Sequence, residues 1–362
     1  MSKKGRVLVA MSGGIDSSVA AVMLHEQGYE VVGLTMKTWD YETSGGSKKE
    51  TGCCSLDSIN DAREIAVKHG FPHYILDIRE EFGDYVIDYF VDEYLSGRTP
   101  NPCVMCNTHI KWDALLARAD KMECEWIATG HYAKIRREGD RFVISRGKDA
   151  NKDQSYVLWG VSQESLSRTM LPIGDFHKPA IRALAGEMGF HNLVNKPESY
   201  EICFIPDNDY HGFLNRRVPD LQAKVAEGEF VLTDGTVVGR HKGYPYYTIG
   251  QRKGLLPMTE AYYVTHIDAE KNRVTIGTAE DLMGQRMEVS KINVQKYDRI
   301  PSDHKGEIKI RYKDPGTPGT INQLSDNHAE VVFFEPVRSI TPGQSAVFYE
   351  GEDVIGGGWI VK

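Results

Sequence analysis

The sequence predicts an α/β protein: a doubly wound parallel sheet, followed by a small central domain and a C-terminal β-barrel. Three observations predict it. The first half alternates strand-like apolar runs with helix-period patterns, as a parallel sheet covered by helices requires. Within it, VLVAMSGGIDSSVAA at residues 7–21 passes from a strand through adjacent glycines into a helix. Beyond about residue 260, short alternating runs are broken by Gly, Pro, Asp and Asn, the pattern of barrel or sandwich strands.

Taken in order, Arg6–Ala10 reads as a buried strand, Asp16–Gln27 as a helix, Tyr29–Met36 as a strand, Leu56–His69 as a helix and His73–Ile78 as a strand. WDYETSGGSKKETG, before Cys53, has no periodicity and reads as a mobile loop. Over Glu80–Leu95, Phe82, Tyr85, Val86, Tyr89 and Phe90 recur at three-and-four spacing, with Glu81, Asp84, Asp88 and Asp92 on other faces: an amphipathic helix. His109–Lys121 reads as a helix and Glu125–Thr129 as a strand. Past Pro206 a polar helical stretch, Tyr210–Arg217, gives way to Gly/Tyr/Pro-rich text. The runs Tyr263–Ile267, Arg273–Ile276, Glu307–Tyr312, His328–Phe334, Ser345–Tyr349 and Val354–Ile360 then read as strands. The expected domains are 1–207, 208–278 and 279–362.

Composition bounds the function. The 362 residues are 41% hydrophobic and 26% charged, and no apolar run reaches the length that a bilayer requires, so no membrane span is expected. MSKKGRVLVA has no secretory h-region, and the chain reads as cytoplasmic. Six cysteines are too few for a disulfide scaffold, which leaves them free, metal-bound or catalytic. A net charge of −8 argues against indiscriminate polyanion binding.

In Ser12-Gly13-Gly14-Ile15-Asp16-Ser17-Ser18 the backbone N–H groups and a helix N-terminus converge where an anion can sit. The serines add hydroxyl donors, and Asp16 could help hold a metal ion between phosphates. The string is neither GxxxxGK[ST] nor GxGxxG, and glycines and caps of this kind also occur in ordinary strand–turn–helix units.

Cys103 and Cys106 form a CxxC in GRTPNPCVMCNTHIKW, a proline-broken loop opening into a helix, where a thiol pKa is expected to fall. CxxC is also half of a zinc site, and small cysteines are often simply buried. The absence of a second CxxC weighs against a closed four-cysteine site. Cys203, between Ile202 and Phe204, is on its own more often core than catalyst.

SGGIDSS, PNPCVMCN, ATGHYA (128–133), KDQSY (152–156) and EICFIP (201–206), in this order, resemble the bacterial tRNA-specific 2-thiouridylases. These are PP-loop ATPases with an adenine nucleotide alpha hydrolase-like fold, and the likeness runs the length of the chain. The resemblance implies ATP with Mg2+ bound by Ala10, Met11, Ser12, Gly13, Gly14, Ile15, Asp16 and Ser17, with Met36 and Gly130. It implies Cys106 as nucleophile, Cys203 as the persulfide carrier, and Asn101, Pro102 and Cys103 at the target base. His131, Lys152, Asp153, Gln154, Arg311, Tyr312 and Gln344 fall at positions that contact tRNA. The implied reaction is 2-thiolation of the wobble uridine in tRNAs for Lys, Glu and Gln. The implied sulfur source is a relay protein fed by a cysteine desulfurase. Many family members carry aspartate where this chain has Cys103. Cys103, Cys106 and Cys203 could therefore ligate an iron–sulfur cluster, or Cys103 is a tolerated substitution.

Local charge accommodates RNA. Residues 240–253 carry Arg240, Lys242, Arg252 and Lys253 without an acid, beside Tyr244, Tyr246 and Tyr247. Residues 291–313 carry seven basic and three acidic groups, whereas 77–93 carry seven acids against Arg79. Two other readings stay open on residues alone. A PP-loop ligase or amidotransferase would have no use for Cys106 and Cys203, and a non-catalytic RNA-binding or sulfur-carrier module would release no pyrophosphate.

Overall fold

The computed structural model describes residues 4–39, 55–196, 202–205 and 207–362. They form two compact units: Met1–Val86 with Cys103–Asp209 and Glu352–Val354, and Ile87–Pro102 with Tyr210–Gly351 and Ile355–Lys362. The loop expected over 39–52 lies, but for Trp39, outside the described residues.

In the first unit, β1 (Arg6–Ala10), β2 (Glu30–Lys37), β3 (His73–Asp77) and β4 (Trp126–Ala128) precede a hairpin, β5 (Ala133–Glu138) and β6 (Arg141–Arg146), and the two-residue β7 (Thr169–Met170). Five of these make a sheet in the order β3-β2-β1-β4-β7, with parallel pairing throughout. Its helices include α1 (Ile15–Glu26), α2 (Leu56–His69), α3 (Asp113–Lys121) and α4 (Lys178–Glu187). Val7, Leu8 and Val9 of β1 are fully buried, as a strand covered on both faces must be. Val7 and Val9 share a core with Val19, Ala62, Ile65, Ile181 and Ala185 from α1, α2 and α4. α2 starts at Ser55, whose side chain accepts the Ser58 N–H, and stops at Gly70 with φ 76°. Strand order reverses between β1 and β4. The loops leaving their C-terminal ends, at Met11 and Thr129, therefore border the crevice where such sheets bind ligands.

Two helices depart from the periodicity. Arg79–Phe82 is α-helical, Gly83–Ile87 makes a π turn, and Asp88–Leu95 is α-helical again. Likewise Pro102–Met105 is a short helix, Cys106–Trp112 is π-helical, and α3 follows. A π turn adds a residue without altering which types are apolar, so spacing alone does not reveal it.

In the second unit, Asp88–Leu95 packs on the helix Tyr210–Arg217 through Phe90 on Phe213 (5.8 Å between centroids) and Tyr94 stacked on Tyr210 (5.1 Å). β8 (Gly228–Val231), β9 (Val237–His241), β10 (Tyr263–Asp268) and β11 (Arg273–Gly277) form a sheet in the order β10-β11-β8-β9. The barrel comprises β12 (Met283–Val294), β13 (His304–Lys309), β14 (Thr317–Ser325), β15 (His328–Arg338), β16 (Ser345–Glu350) and β17 (Asp353–Ile360). Its order is β12-β15-β14-β13-β16-β17, closed by β12 on β17. Alternate residues Met287 and Val289, Val331 and Phe333, Ala346 and Phe348 fill the interior.

The first two runs after residue 260 thus belong to the central sheet. The strand expected over Glu307–Tyr312 lies earlier, at His304–Lys309. Among the described residues no helix is long and apolar enough to cross a membrane.

Candidate active site

β1 hands the chain to a loop that folds down on α2. The Met11 N–H donates to the Leu34 carbonyl at 2.8 Å, and the chain then leaves the sheet. Gly13 has φ +68°, and a Cβ there would lie 2.0 Å from the Ser58 carbonyl oxygen, so only glycine fits. Ser17 Oγ closes the loop: it accepts the Ser12 N–H at 3.1 Å and donates to the Gly14 carbonyl at 3.2 Å. Thr35 Oγ1 donates to the Met11 carbonyl at 2.7 Å and lies 2.8 Å from His73 Nε2, which must then be the donor of that pair. Burial, with a smaller push from Arg63, holds the His73 pKa below its ordinary value, consistent with a neutral ring. Met36 closes this side at the end of β2, half-buried.

The string Thr129-Gly130-His131-Tyr132, leaving β4, meets the start of α1 at two points. A Cβ on Gly130 would stand 2.6 Å from the Ser17 backbone nitrogen and 2.8 Å from the Asp16 carbonyl carbon, so glycine permits the approach to the α1 N-terminus. His131 is buried, with Nδ1 2.7 Å from Thr129 Oγ1 and its ring 5.6 Å from that of Trp112. Burial, then Lys111, keeps its pKa well below the ordinary histidine value. The Tyr132 hydroxyl donates to Asp16 Oδ1 at 2.7 Å.

Two lysines that no motif announces complete the cradle. Lys178 Nζ, its side chain 8% exposed, lies 2.8 and 2.7 Å from the two Asp16 carboxylate oxygens. Lys196 Nζ donates to the Gly13 carbonyl (3.2 Å), Ser58 Oγ (3.1 Å) and Asp61 Oδ2 (2.7 Å). They stand 162 and 183 residues beyond Asp16 and Gly13, and only the fold brings them there.

Cys106 and Cys203 belong to this same unit. Cys106 opens the π-helical segment, which is anchored by the Asn107 side-chain amide on the Val157 carbonyl (3.0 Å) and Trp112 Nε1 on Thr169 Oγ1 (2.8 Å). Cys203 is half-buried in a turn closed by the Ile205 N–H on the Ile202 carbonyl at 2.9 Å. The next residue, Phe204, packs edge-on against Phe82 at 5.9 Å, and the helix of Phe82 contacts the Cys106–Trp112 segment. Tyr85 stacks on His109 at 5.7 Å and joins the two π turns. Glu201 and Pro206 lie outside the described residues.

Cys103 corrects the expectation of a lowered thiol pKa. It does lie in the first turn of a continuous helical run, Pro102–Lys121, but desolvation of its sulfur outweighs that position. The protein around its sulfur pushes the thiol pKa up and Lys111 opposes, a rise limited because the residue is exposed to solvent. The described residues include Cys103, Cys106 and Cys203, yet no group of three or more His, Cys, Asp or Glu among them could hold a metal ion. Cys103, Cys106 and Cys203 are thus not assembled as a ligand set in this structure.

The residues expected to meet tRNA divide by environment. Lys152 is half-buried, while Arg311 and Tyr312 are exposed. Asp153 instead binds the Gly147 and Ser155 N–H groups at 2.9 and 3.1 Å and shapes its own turn. Gln154 is held by Tyr132, and His131 is too buried to present its ring. Gln344 Nε2 donates to the Pro100 carbonyl at 2.8 Å and the Thr99 carbonyl at 3.2 Å, and Asn101 Nδ2 reaches Ser345 Oγ at 3.5 Å. The basic text at 240–253 is also revised. Tyr244, Tyr246 and Tyr247 are buried, with the Tyr244 and Tyr246 hydroxyls bound to the Leu95 carbonyl and Asn215 Oδ1, and are not stacking platforms. Lys242, Arg252 and Lys253 do reach solvent.

A parallel sheet with a glycine–serine loop at its switch point, joined to a β domain and a closed barrel, defines a nucleotide-binding protein of the PP-loop (HUP) class. Residues 5–207 match the family model described as tRNA methyl transferase HUP domain, 212–278 the tRNA methyl transferase PRC-barrel domain, and 285–360 the aminomethyltransferase beta-barrel domain. The chain is 68% identical over 362 residues to the tRNA-specific 2-thiouridylase MnmA of Cytophaga hutchinsonii, covering 99% of this chain and 98% of that one. It is 67% identical over 360 residues to the protein of that name from Amoebophilus asiaticus (99% and 96%) and 61% over 364 residues to that of Salinibacter ruber (99% and 95%). The chain belongs to the tRNA-specific 2-thiouridylase family.

Proposed function

We propose that the protein is an ATP-dependent tRNA 2-thiouridylase acting on the wobble uridine, in the cytoplasm, on tRNAs for Lys, Glu and Gln. The observation that carries the reading is 68% identity over 99% of the chain to a protein named tRNA-specific 2-thiouridylase, with Cys106 and Cys203 on the unit that bears the phosphate loop. Methyl transfer, which the family-model descriptions suggest, needs neither an ATP-cleaving loop nor a pair of cysteines.

The uracil C2 oxygen is a poor leaving group. The loop Ala10–Ser17, with Met36 and Gly130, holds ATP so that this oxygen attacks the α-phosphorus and pyrophosphate departs. Asp16, whose carboxylate pairs with Lys178 in this structure, would be the loop's oxygen donor were Mg2+ to bind with ATP, and the ion would supply charge neutralisation there. Asn101, Pro102 and Cys103 border the base. The terminal sulfur of a Cys203 persulfide attacks C2, and the C–O bond to AMP breaks. The Cys106 thiolate then attacks Cys203 Sγ; the new C–S group keeps the electron pair of the broken S–S bond and becomes the thiocarbonyl. The resulting Cys106–Cys203 disulfide is reduced by external thiols, and a sulfur relay protein fed by a cysteine desulfurase reloads Cys203. Residues 1–207 serve catalysis and present Lys152 to tRNA, whereas 208–278 and 279–362 serve tRNA docking, the last through Arg311 and Tyr312 directly. Asp153, Gln154 and Gln344 support that docking by holding the backbone, and His131 by its contacts with Thr129 and Trp112.

Mass spectrometry of tRNA after incubation with ATP and a sulfur source tests this. The expected product carries an oxygen-to-sulfur exchange in the anticodon, made only when ATP is present. A methylated or unchanged tRNA overturns the reading.

A further inference from the structure

We infer that Lys178 is the phosphate-neutralising cation of the cradle and that Asp16 is the tether that aims it. The inference rests on the adenylating reading and adds to it a positioning residue that no motif contains.

A polyphosphate brings several negative charges, and the loop has little to meet them. From Met11 to Leu24 the chain carries no lysine, arginine or histidine. Backbone amides and the α1 N-terminus supply together only about half a positive charge. Phosphate loops of the Walker type solve the problem with a lysine inside the loop. Of the cradle's two lysines, Lys196 is paired with Asp61 as it reaches the Gly13 carbonyl, whereas the ammonium that meets the loop's own carboxylate arrives from the first residue of α4, within 2.8 Å of both Asp16 oxygens.

Its placement is over-determined. The Lys178 N–H donates to Asp149 Oδ2 at 2.9 Å, which fixes the start of α4. Its ammonium lies 5.8 Å from the centre of the Tyr132 ring. The Tyr132 hydroxyl, 2.7 Å from Asp16 Oδ1, fixes the carboxylate to which the ammonium is bound. A buried ion pair contributes little net stability over an apolar pair of like volume, so stability alone gives no reason for a lysine at this point. A cation stored beside the α1 N-terminus, in contact with a residue of the loop itself, is placed to meet an incoming anion.

The test is nucleotide affinity by calorimetry in metal-free, EDTA-containing buffer, with ATP and adenosine as ligands. Lys178→Met is expected to weaken ATP about tenfold or more and to leave adenosine unchanged, because a charge-assisted contact to phosphate is lost. Asp16→Asn is expected to act in the opposite direction and tighten ATP, since the ammonium loses its competing anion. If the pair is merely structural, both substitutions weaken both ligands, and that result overturns the inference, as does unchanged ATP affinity in Lys178→Met. Should Lys178→Met fail to fold, the double variant Asp16→Asn with Lys178→Met restores charge balance and must bind ATP about tenfold more weakly than Asp16→Asn alone. Failure of the underlying reading is separate: wild-type protein would then release no pyrophosphate on addition of tRNA, whatever Lys178→Met does.

Discussion

Gln154 and Tyr132 hold each other by a reciprocal pair. The Gln154 N–H donates to the Tyr132 carbonyl at 2.8 Å, and the Tyr132 N–H donates to Gln154 Oε1 at 2.9 Å. Since the Tyr132 hydroxyl also holds Asp16, the KDQSY string acts on the phosphate loop through one tyrosine. Gln154→Ala removes the acceptor Oε1 of the Tyr132 N–H and is expected to cost about 1–3 kcal/mol in urea unfolding. ATP affinity should fall with it. Gln154→Glu keeps the acceptor and should recover most of both; equal losses in the two variants would place the role of Gln154 elsewhere.

Gly130 sets how closely the TGHY string approaches α1. In Gly130→Ala the new Cβ meets backbone atoms of Asp16 and Ser17, which cannot rotate away as a side chain would. Overpacking of this kind costs about 1–3 kcal/mol. The larger effect is expected on ATP, whose dissociation constant should rise about tenfold as the α1 N-terminus and the string separate. A lowered melting temperature with unchanged ATP affinity would mean that the contact serves the fold alone.

Much of this was legible in sequence because it is local. The strand β1, the helix Leu56–His69 and the loop SGGIDSS announce themselves by periodicity, caps and glycine placement. The hairpin β5–β6 did not, because its first strand, AKIRRE, runs from a buried alanine through two half-buried residues to an exposed, charged end, with no alternation. Nor did β14, whose run TPGTINQLS begins with the turn-type residues Pro318 and Gly319. The tyrosines at 244–247 looked like surface text because glycine and lysine surround them, whereas their rings fill the interior of their unit. Lys178 and Lys196 were invisible for a different reason: their partners lie far away in sequence, so no spacing rule reports them.

Gln344 is expected to act on tRNA through the chain at 99–101. Its amide donates to the Thr99 and Pro100 carbonyls, immediately before Asn101. Gln344→Ala frees that turn and should raise KM for tRNA about tenfold. The ATP dissociation constant should not move. A change confined to kcat would argue that the turn is held by other contacts and that Gln344 acts on chemistry instead.

Acid should destabilise the central sheet through His241. Burial lowers its pKa to about 4, and its Nδ1 accepts the Gly243 N–H at 3.0 Å, so the folded state holds the ring neutral. The unfolded chain binds the proton near pH 6.5, so below that pH it takes up more protons than the native state does. Stability therefore falls as pH drops from 6.5 towards 4, by about 1.4 kcal/mol per pH unit from this group. Above pH 6.5 both states are neutral and the contribution vanishes. His131 and His73, both lowered mainly by burial, act in the same direction. Urea melts at pH 7 and pH 5 should show a shallower loss in His241→Asn, which keeps an acceptor near Gly243; an identical slope would remove His241 as a source.

The three cysteines of the site should separate cleanly. Cys106 stands at the head of an anchored π turn, and Cys203 in a turn pinned by Phe204 on Phe82, so both sulfurs are carried by fixed backbone. Cys103 sits one turn earlier, exposed, in the first turn of the same helical run, with its thiol pKa held up. In the proposed cycle one thiol must carry sulfur and a second must release it. Cys106→Ala and Cys203→Ala should each lower thiolation by at least about a hundredfold while tRNA binding persists. Both should still release pyrophosphate in a tRNA-dependent burst, because adenylation precedes sulfur transfer. Cys103→Ala should retain activity within about threefold, since neither proposed sulfur step requires it. Iron chelation should leave the wild type active, because the three cysteines are not assembled as a ligand set. Loss of activity in all three variants, accompanied by loss under chelation, would replace the persulfide route with a metal-centred one.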